Sequence, residues 1–429
     1  MTRPNNITTN YTYDTLSRLL SVLHQAGGST IDGDVYTLDA AGNRTAKQDD
    51  LAGVTSNYTY DKIYELTQGT QGTNTTESYS YDAGGNRLSS LGVSPYSYNT
   101  SNELTSTPSG SYTYDYNGNT LTDASGRSYA WDFENRLTQV TMPSSGGTAT
   151  FKYDPFGRRI QKVFTQNSTT TTTNYLYDGD NAIETVDQNG SVLSKFAQGQ
   201  NIDEPLAESV GGATYDYEQD GLGSVTSLTN SSGTLSLSYT YDSFGKITAS
   251  SGSASNPFRY TGRDLDSETG LYYYRARYYD SSTGRFLSED AARWNAFHNF
   301  YEYVNNNAVN LSDPFGLIAC SDCQRFLKYC YLTGGVAGFL TTWGCRTVCI
   351  SVLKTPLLCW TVCPAGGAAV AGTLDLACYA GYKRCKKVCK GCSQTAQPGQ
   401  NAGGFGGQPP QTGGPIGPAG GGGGGGIPW

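Results

Sequence analysis

The most reactive side chains of this chain are its 11 cysteines, and all of them lie in one segment. Pairs such as Cys345 and Cys349 are four residues apart, which places both thiols on one face of a helix, from where they can staple neighbouring helices. The 11 positions are Cys320, Cys323, Cys330, Cys345, Cys349, Cys359, Cys363, Cys378, Cys385, Cys389 and Cys392. The sequence therefore predicts a small, disulfide-bonded helical segment with one thiol left over, whose pairing cannot be deduced from spacing.

A metal site is the alternative use of these thiols. The motifs CSDC at 320–323 and CKGC at 389–392 each offer two ligands, but they are much further apart than the usual zinc-ligand spacing, and no histidine lies near them. We expect no bound metal and no cofactor.

The cysteine segment is also basic and apolar. Residues 318–429 contain nine lysines and arginines against two aspartates, and the run from Thr355 to Leu374 has no charge over 20 residues. Such a segment fits a toxin-like peptide that acts at an anionic membrane. An inert anchor or core is the other interpretation. Nucleic acid is not expected as a partner, because few aromatic residues accompany the basic ones.

Residues before Cys320 consist largely of a repeated phrase. Ten copies can be read, among them YTYDTLSRLL at 11, YSYDAGGNRL at 79 and FKYDPFGRRI at 151, usually about 16 to 25 residues apart. Self-similarity at this period predicts a repeat architecture.

Each phrase predicts a β-hairpin. Tyr-x-Tyr places two rings on one face of a strand, where they can stack on their equivalents in the next hairpin. The aspartate that follows forms a side-chain turn, and the next glycine or asparagine tolerates positive φ. Since one hairpin cannot bury its faces alone, the sequence predicts a mainly β fold of hairpins stacked into a long curved sheet. We expect no active site in residues 1–255.

A longer ordered match follows the repeats. It comprises DEPLAESVGG at 203–212, YDYEQDGLGSVTSLTNSSGTL at 215–235, YTYDSFGKI at 239–247, FRYTGRDLDSETGLYYYRARYYDSSTGRFLSED at 258–290, and NNNAVNLSDPFGL ending at 317. With the repeats, these stretches closely resemble the RHS, or YD-repeat, family over residues 11–317. That family includes the C components of Tc insecticidal toxins, bacterial polymorphic toxins and, more distantly, teneurins.

The resemblance implies a sheet that spirals into a hollow shell, a core that plugs one end, and a variable C-terminal polypeptide held inside as cargo. About 24 strands at the usual spacing make one turn barely wide enough for a compact tail of this length. We therefore expect either a reduced, partly open shell or the last segment of a larger one.

In toxin relatives the core is also an aspartyl-type protease that cuts its own chain after the leucine of a DPxGL motif. The corresponding bond here is Leu317–Ile318. The family's catalytic carboxylates fall on Asp290 and Asp313, and its supporting arginine falls on Arg277. Such chemistry needs two carboxyls close enough to share a proton, one acting as base toward water and the other as acid.

A purely structural interpretation of these residues is also available. Asp-Pro-Phe-Gly is typical of a tight turn, and Asp290 could cap a helix beginning near Ala291. The chain departs from the family pattern at Ala291 and Ala308, where proline is usual, and at Phe297 and His298, where glycines are usual. The rival to a cargo-releasing shell is a cell-surface structural or adhesive protein with a non-cleaving core and an anchoring tail.

Four regions follow from these patterns. Residues 1–200 are expected to be YD repeats, 201–317 the associated core, 318–392 the cysteine-rich domain, and 393–429 a disordered Gly/Pro-rich tail. The N-terminus shows no apolar secretory signal, so export or surface display would use another route. The expected partners are the chain's own C-terminal segment, an anionic membrane, and an immunity or secretion protein.

Overall fold

The computed structural model describes residues 1–291 and 299–317, mostly as antiparallel β-strands. The first sheet contains β1 (Ile7–Tyr13), β2 (Leu19–Ala26), β3 (Ser29–Leu38), β4 (Arg44–Asp49), β5 (Val54–Tyr60), β6 (Leu66–Gln71), β7 (Asn74–Tyr81) and β8 (Arg87–Ser90). A small second sheet contains β9 (Ser97–Tyr98), β10 (Leu104–Thr107) and β11 (Gly110–Ser111).

The third sheet is the largest and the fourth is compact. The third contains β12 (Thr113–Tyr114), β13 (Thr120–Thr122), β14 (Ser128–Trp131), β15 (Leu137–Thr141), β16 (Thr148–Tyr153), β17 (Arg159–Gln166), β18 (Thr169–Asp178), β19 (Asn181–Val186), β20 (Val192–Gln198), β21 (Pro205–Val210), β22 (Ala213–Gln219), β23 (Val225–Asn230), β24 (Leu235–Tyr241) and β25 (Ile247–Gly252). The fourth contains β26 (Asp264–Asp266), β27 (Leu271–Tyr274), β28 (Arg277–Asp280) and β29 (Arg285–Phe286). Two short 3-10 helices span Tyr260–Gly262 and Val304–Asn306.

Strands follow one another in each sheet in chain order, as stacked hairpins require. The breaks between the first three sheets are bridged. The Tyr96 N–H donates to the Leu88 carbonyl (3.0 Å), and the Tyr114 hydroxyl donates to the Leu104 carbonyl (3.1 Å). The mainly β fold of consecutive hairpins is confirmed.

The aspartate of each repeat builds the hairpin turn. At Asp154, one carboxylate oxygen accepts the backbone N–H of Phe156 and of Arg158 (both 2.9 Å), and the other accepts Arg158 Nε (2.7 Å). Gly157 then adopts φ 82°, the left-handed conformation that favours glycine. The carboxylate thus satisfies turn amides that the strands leave unpaired, as the sequence predicts.

The tyrosines join hairpins differently from the predicted ring stacking. The Tyr153 hydroxyl donates to the carbonyl of Leu137 (2.6 Å), at the start of the preceding hairpin's return strand, and Arg136 lies 5.2 Å from the Tyr153 ring centre. The same hydroxyl bond is made by Tyr60, Tyr81, Tyr98, Tyr114, Tyr177 and Tyr241. Equivalent rings in successive hairpins are two strand spacings apart, roughly 10 Å, which is too far for stacking.

The fourth sheet is buried on both faces between two walls of the hairpin array. On one face, Tyr272 and Tyr279 pack in a cluster with Leu66 of β6. On the other, Tyr278 packs against Phe151 of β16, with ring centres 5.3 Å apart. The hydroxyls of Tyr272 and Tyr279 each donate to a backbone carbonyl at 2.8 Å, so the rings fill the interior without leaving their polar ends unsatisfied.

The first hairpins meet the late ones and close the array into a ring. Glu218 of β22 lies 3.3 Å from the Arg3 guanidinium and 2.8 Å from His24 Nδ1. Asp32 of β3 accepts a hydrogen bond from the Thr226 hydroxyl of β23 (2.6 Å). Within residues 1–291 and 299–317 no backbone ladder joins β1–β3 to β22–β23, so side chains form this polar seam.

Several predicted features lie outside the described residues. They are Ile318, the 11 cysteines with their predicted helices, the uncharged run from Thr355, the Gly/Pro-rich tail, and Phe297 and His298 with the predicted helix after Ala291. Across the described ranges, no helix has the length and apolarity needed to cross a bilayer.

Candidate active site

Two strands and one turn of the core bring the predicted site residues together. Arg277 is the first residue of β28, Asp290 follows β29, and Asp313 begins the DPFGL turn. All three side chains are buried, with 5% exposure or less. Buried charges of this kind are stable only when paired, so their mutual contacts decide what the site can do.

Arg277 connects both carboxylates. Its Nη2 lies 3.1 Å from Asp290 Oδ2 and 3.5 Å from Asp313 Oδ2. Its Nη1 donates to the Phe300 carbonyl (2.9 Å), which also accepts the Asp290 N–H (3.0 Å). The guanidinium lies 3.5 Å from the centre of the Phe286 ring, a cation–π contact that fixes its plane.

The DPFGL turn holds its last residues against this group. Asp313 Oδ1 accepts the Leu317 N–H (3.1 Å), and the Gly316 carbonyl accepts Arg277 Nε (2.5 Å). Gly316 has φ 63°, and a Cβ there would lie 2.2 Å from the Tyr274 carbonyl. Only glycine fits this position. Asp313 holds the amide nitrogen of Leu317, which is two bonds away from the Leu317 carbonyl carbon.

Burial and charge set the protonation of Asp313. Burial raises its pKa, the Arg277 charge opposes the rise, and the nearby Asp290 carboxylate adds to it, bringing the pKa of Asp313 to about 7. The hydrogen bonds from the turn amides favour the charged form but do not offset these effects. A carboxyl group with this pKa can hold or release a proton near neutral pH.

A cavity of about 420 Å³ opens beside the turn. Phe315, Leu317 and Ala291 line it on the core side, and the hairpin tip with Phe156 and Arg158 lines it on the shell side. The cavity is large enough for several water molecules next to the Leu317 end of the turn.

The sequence prediction missed two residues of this neighbourhood. Arg275 and Asp203 form an ion pair at 2.8 Å, and Arg275 also donates to the Pro314 carbonyl. Both residues stand within quoted motifs, RARYYD and DEPLAES, but their spacing along the chain gives no sign of contact. No group of His, Cys, Asp and Glu in residues 1–291 and 299–317 is arranged to hold a metal ion.

Comparison with known proteins identifies similar chains of greater length. Residues 50–311 match the model of the family described as Teneurin YD-shell. The tRNA3(Ser)-specific nuclease WapA of Bacillus spizizenii is 36% identical over 318 residues, a match that covers 71% of this chain and 12% of WapA. Toxin protein Tse5 of Pseudomonas aeruginosa is 26% identical over 201 residues, which cover 40% of this chain and 15% of Tse5.

Among solved structures, the crystal structure of TcdB2-TccC3-Cdc42 superimposes with a TM-score of 0.63 and 22% identity. The match covers 74% of this chain and 18% of that chain. At this identity the likeness concerns the fold alone. The shares of the matched proteins that are covered, 12%, 15% and 18%, show that this chain spans only a small part of each of them.

Proposed function

The chain belongs to the RHS, or YD-repeat, family, and on that basis we propose that it is a shell segment that releases its own C-terminal polypeptide by cutting the Leu317–Ile318 bond. The relatives include a protein named as a toxin, which supports export and delivery as the setting. The region after Leu317 is then the cargo, and the shell and core are its container.

One observation carries the proposal. A single guanidinium, that of Arg277, lies within 3.5 Å of both Asp290 and Asp313 and also holds the Gly316 carbonyl, next to the bond in question. Asp313 belongs to the turn that carries the bond, and Asp290 brings a second buried carboxylate to the same arginine. Aspartyl hydrolysis needs such a pair of acids beside the bond that is cut.

The reaction balances with water as the only co-reactant. One carboxylate of the pair takes a proton from a water molecule supplied by the cavity, and the oxygen attacks the Leu317 carbonyl carbon. The other carboxyl group gives its proton to the leaving nitrogen of Ile318 as the C–N bond breaks. The products are a carboxylate on Leu317 and a free amine on Ile318. Arg277 stabilises the negative charge that develops between these states.

A gel and an intact-mass measurement test the proposal. Wild-type protein should run under denaturing conditions as pieces of 317 and 112 residues, whereas Asp313→Asn and Asp290→Asn should remain whole. The matched control is Asp280→Asn, a buried carboxylate on the same strand as Arg277 that pairs with Arg127 instead (3.1 Å). This control should still cleave. A wild-type protein that stays in one piece contradicts the proposal.

We infer from the composition of the released segment that its target is an anionic membrane. The segment is basic, apolar and rich in cysteine, features that favour binding to a charged bilayer. Oxidised peptide 318–392 should release dye from vesicles containing anionic lipid at micromolar concentration, and less from neutral vesicles. Absence of leakage from both kinds of vesicle would argue against membrane action and leave the container role untouched.

The alternative is a surface protein with structural or adhesive use. A match to salivary gland surface protein 1 of Aedes aegypti supports it, with 39% identity over 99 residues, which cover 22% of this chain and 3% of that protein. An uncleaved wild-type chain displayed on cells would support this alternative against the protease.

A further inference from the structure

Arg275 occupies a backbone position that favours glycine. Arg275 and Ala276 form the two-residue turn between β27 and β28, where Tyr274 pairs with Arg277, and Arg275 has φ 57°. Two-residue hairpin turns that need positive φ at this place usually contain glycine. An arginine with this φ is strained where a glycine is not, so we expect its side chain to contribute something that glycine lacks.

The side chain of Arg275 clamps the DPFGL turn. Its guanidinium donates to the Pro314 carbonyl, next to Asp313, and lies 5.7 Å from the centre of the Phe315 ring. Beside it, the Ala276 N–H donates to the Phe315 carbonyl (3.2 Å). These contacts hold the outer side of the turn, while Arg277 holds the inner side.

Asp203 fixes Arg275 from the shell. The carboxylate of Asp203 receives Arg275 Nη2 at 2.8 Å and Nη1 at 3.1 Å, a two-point contact that sets the plane of the guanidinium. Asp203 lies in the loop between β20 and β21, which are hairpin strands of the ring and not of the core. It is 9% exposed and also binds Arg263, whose guanidinium donates to the Tyr273 carbonyl (2.7 Å).

The Asp203 loop fits closely against the core. A Cβ at Gly262, which has φ 70°, would lie 2.7 Å from the Asp203 carbonyl oxygen, so the first 3-10 helix packs directly on this loop. Asp203 itself has φ 61°, a conformation that aspartate tolerates better than most residues. Both Gly262 of the core and Asp203 of the loop therefore have the backbone conformation that this close contact needs.

We propose that Asp203 is a positioning residue for self-cleavage, acting through Arg275 to seat the DPFGL turn only when the β20–β21 hairpin has docked on the core. The inference rests on the self-cleavage proposed above. It makes bond cutting dependent on assembly of the shell, so that the cargo is freed from a finished container. Displacement of the turn by about 1 Å can cost roughly a hundredfold in rate, which sets the size of the expected effect.

The test measures cleavage rates after full-length, urea-unfolded chain is diluted into native buffer. Asp203→Asn and Arg275→Met should each cleave about a hundredfold more slowly than wild type. The double variant should be about as slow as the slower single one, because both changes break the Asp203–Arg275 linkage, and Asp203→Asn also weakens the contact with Arg263. Arg275→Lys keeps the positive charge but loses the two-point contact with Asp203, so it should cleave faster than Arg275→Met and more slowly than wild type. Asp187→Asn, which alters only the turn between β19 and β20, should cleave at the wild-type rate.

Stability is measured separately in the uncleaved Asp313→Asn background, so that a general loss of folding is not mistaken for loss of positioning. Cleavage of Asp203→Asn and Arg275→Met at the wild-type rate, or rate losses that multiply in the double variant, would overturn the inference while leaving the protease intact. Should Asp203→Asn fail to fold, the comparison of Arg275→Met with Arg275→Lys decides: equal rates overturn the inference. A wild-type chain that never cleaves instead overturns the proposed function itself.

Discussion

Arg277 is the residue on which the candidate site depends, because both carboxylates contact its guanidinium. Its position between Asp290 and Asp313 allows two buried acids to lie close together, an arrangement that would otherwise be strongly unfavourable. The neighbouring Asp290 also contributes to the raised pKa of Asp313. Protonation of the pair should therefore control the rate.

The rate of cleavage should fall as pH rises through about 7. The pKa of Asp313 is raised to about 7 by burial and by Asp290, so Asp313 keeps its proton below that pH and loses it above. Refolding the full-length chain between pH 5.5 and 8.5 and following the 112-residue product gives the profile. Tyrosine fluorescence, recorded in parallel, shows whether folding itself changes with pH. A rate that increases steadily up to pH 8.5 would contradict this assignment.

We could predict Asp290, Asp313 and Arg277 from the sequence because each stands in a motif whose order matches the family. We could not predict the pairing of Asp203 with Arg275, because the two residues are 72 positions apart and meet only through the docking of one hairpin on the core. The likeness of motifs thus identified the proposed reacting groups but not the ion pair that we propose positions them.

The hairpin is the element that repeats, and its tyrosine hydroxyl is what joins one copy to the next. The bond from Tyr153 to the Leu137 carbonyl crosses from one hairpin to its predecessor. The turn aspartate, in contrast, acts within its own hairpin. The alternating pattern of the sequence predicted hairpins and turns, since both are local. It did not predict the hydroxyl bond, because that requires the spacing between neighbouring hairpins.

Tyr153→Phe should lower the free energy of unfolding by about 1 to 3 kcal/mol, because it leaves a partly buried carbonyl at Leu137 without its donor. Urea denaturation of the Asp313→Asn protein with and without the change measures the loss. Tyr13→Phe is the matched control: it occupies the same place in the first repeat, where the side chain is 58% exposed. Its effect should stay within about 0.5 kcal/mol. Equal losses at both positions would show that the hydroxyl bond contributes nothing specific.

At the scale of the whole molecule, the polar seam closes the ring and the fourth sheet packs against its inner walls. Burial alone would lower the pKa of His24, but the hydrogen bond and charge of Glu218 outweigh burial and raise it. Burial likewise would raise the pKa of Glu218, but His24 and Arg3 lower it. The positive charge of His24 and the negative charge of Glu218 therefore stabilise the closed ring together.

Glu218→Gln should destabilise the protein by about 3 kcal/mol, because it leaves Arg3 and His24 buried without their carboxylate. The His24 contribution is complete below its unfolded pKa and is lost as pH rises; the Glu218 contribution is complete above its unfolded pKa and is lost as pH falls. The difference from wild type should therefore be largest between about pH 4.5 and 6.5.

Denaturation at several pH values, in the Asp313→Asn background, measures this difference. Glu184→Gln is the control, since Glu184 pairs with the exposed Lys195 at 3.6 Å and should contribute less than about 1 kcal/mol. A pH-independent effect of Glu218→Gln would contradict the assigned charges. This seam could not be predicted from the repeats, because the meeting of β3 with β23 depends on curvature accumulated over the whole array.

The side-chain nature of the seam has a mechanical consequence. A barrel closed by backbone pairing has its circumference fixed by the number and stagger of its strands. In this array, charged side chains and hydroxyls join the two ends instead. The array can therefore open at this seam while the backbone hydrogen bonds between neighbouring strands stay intact. Repeats can also be gained or lost elsewhere around the circle, provided that the two ends still meet.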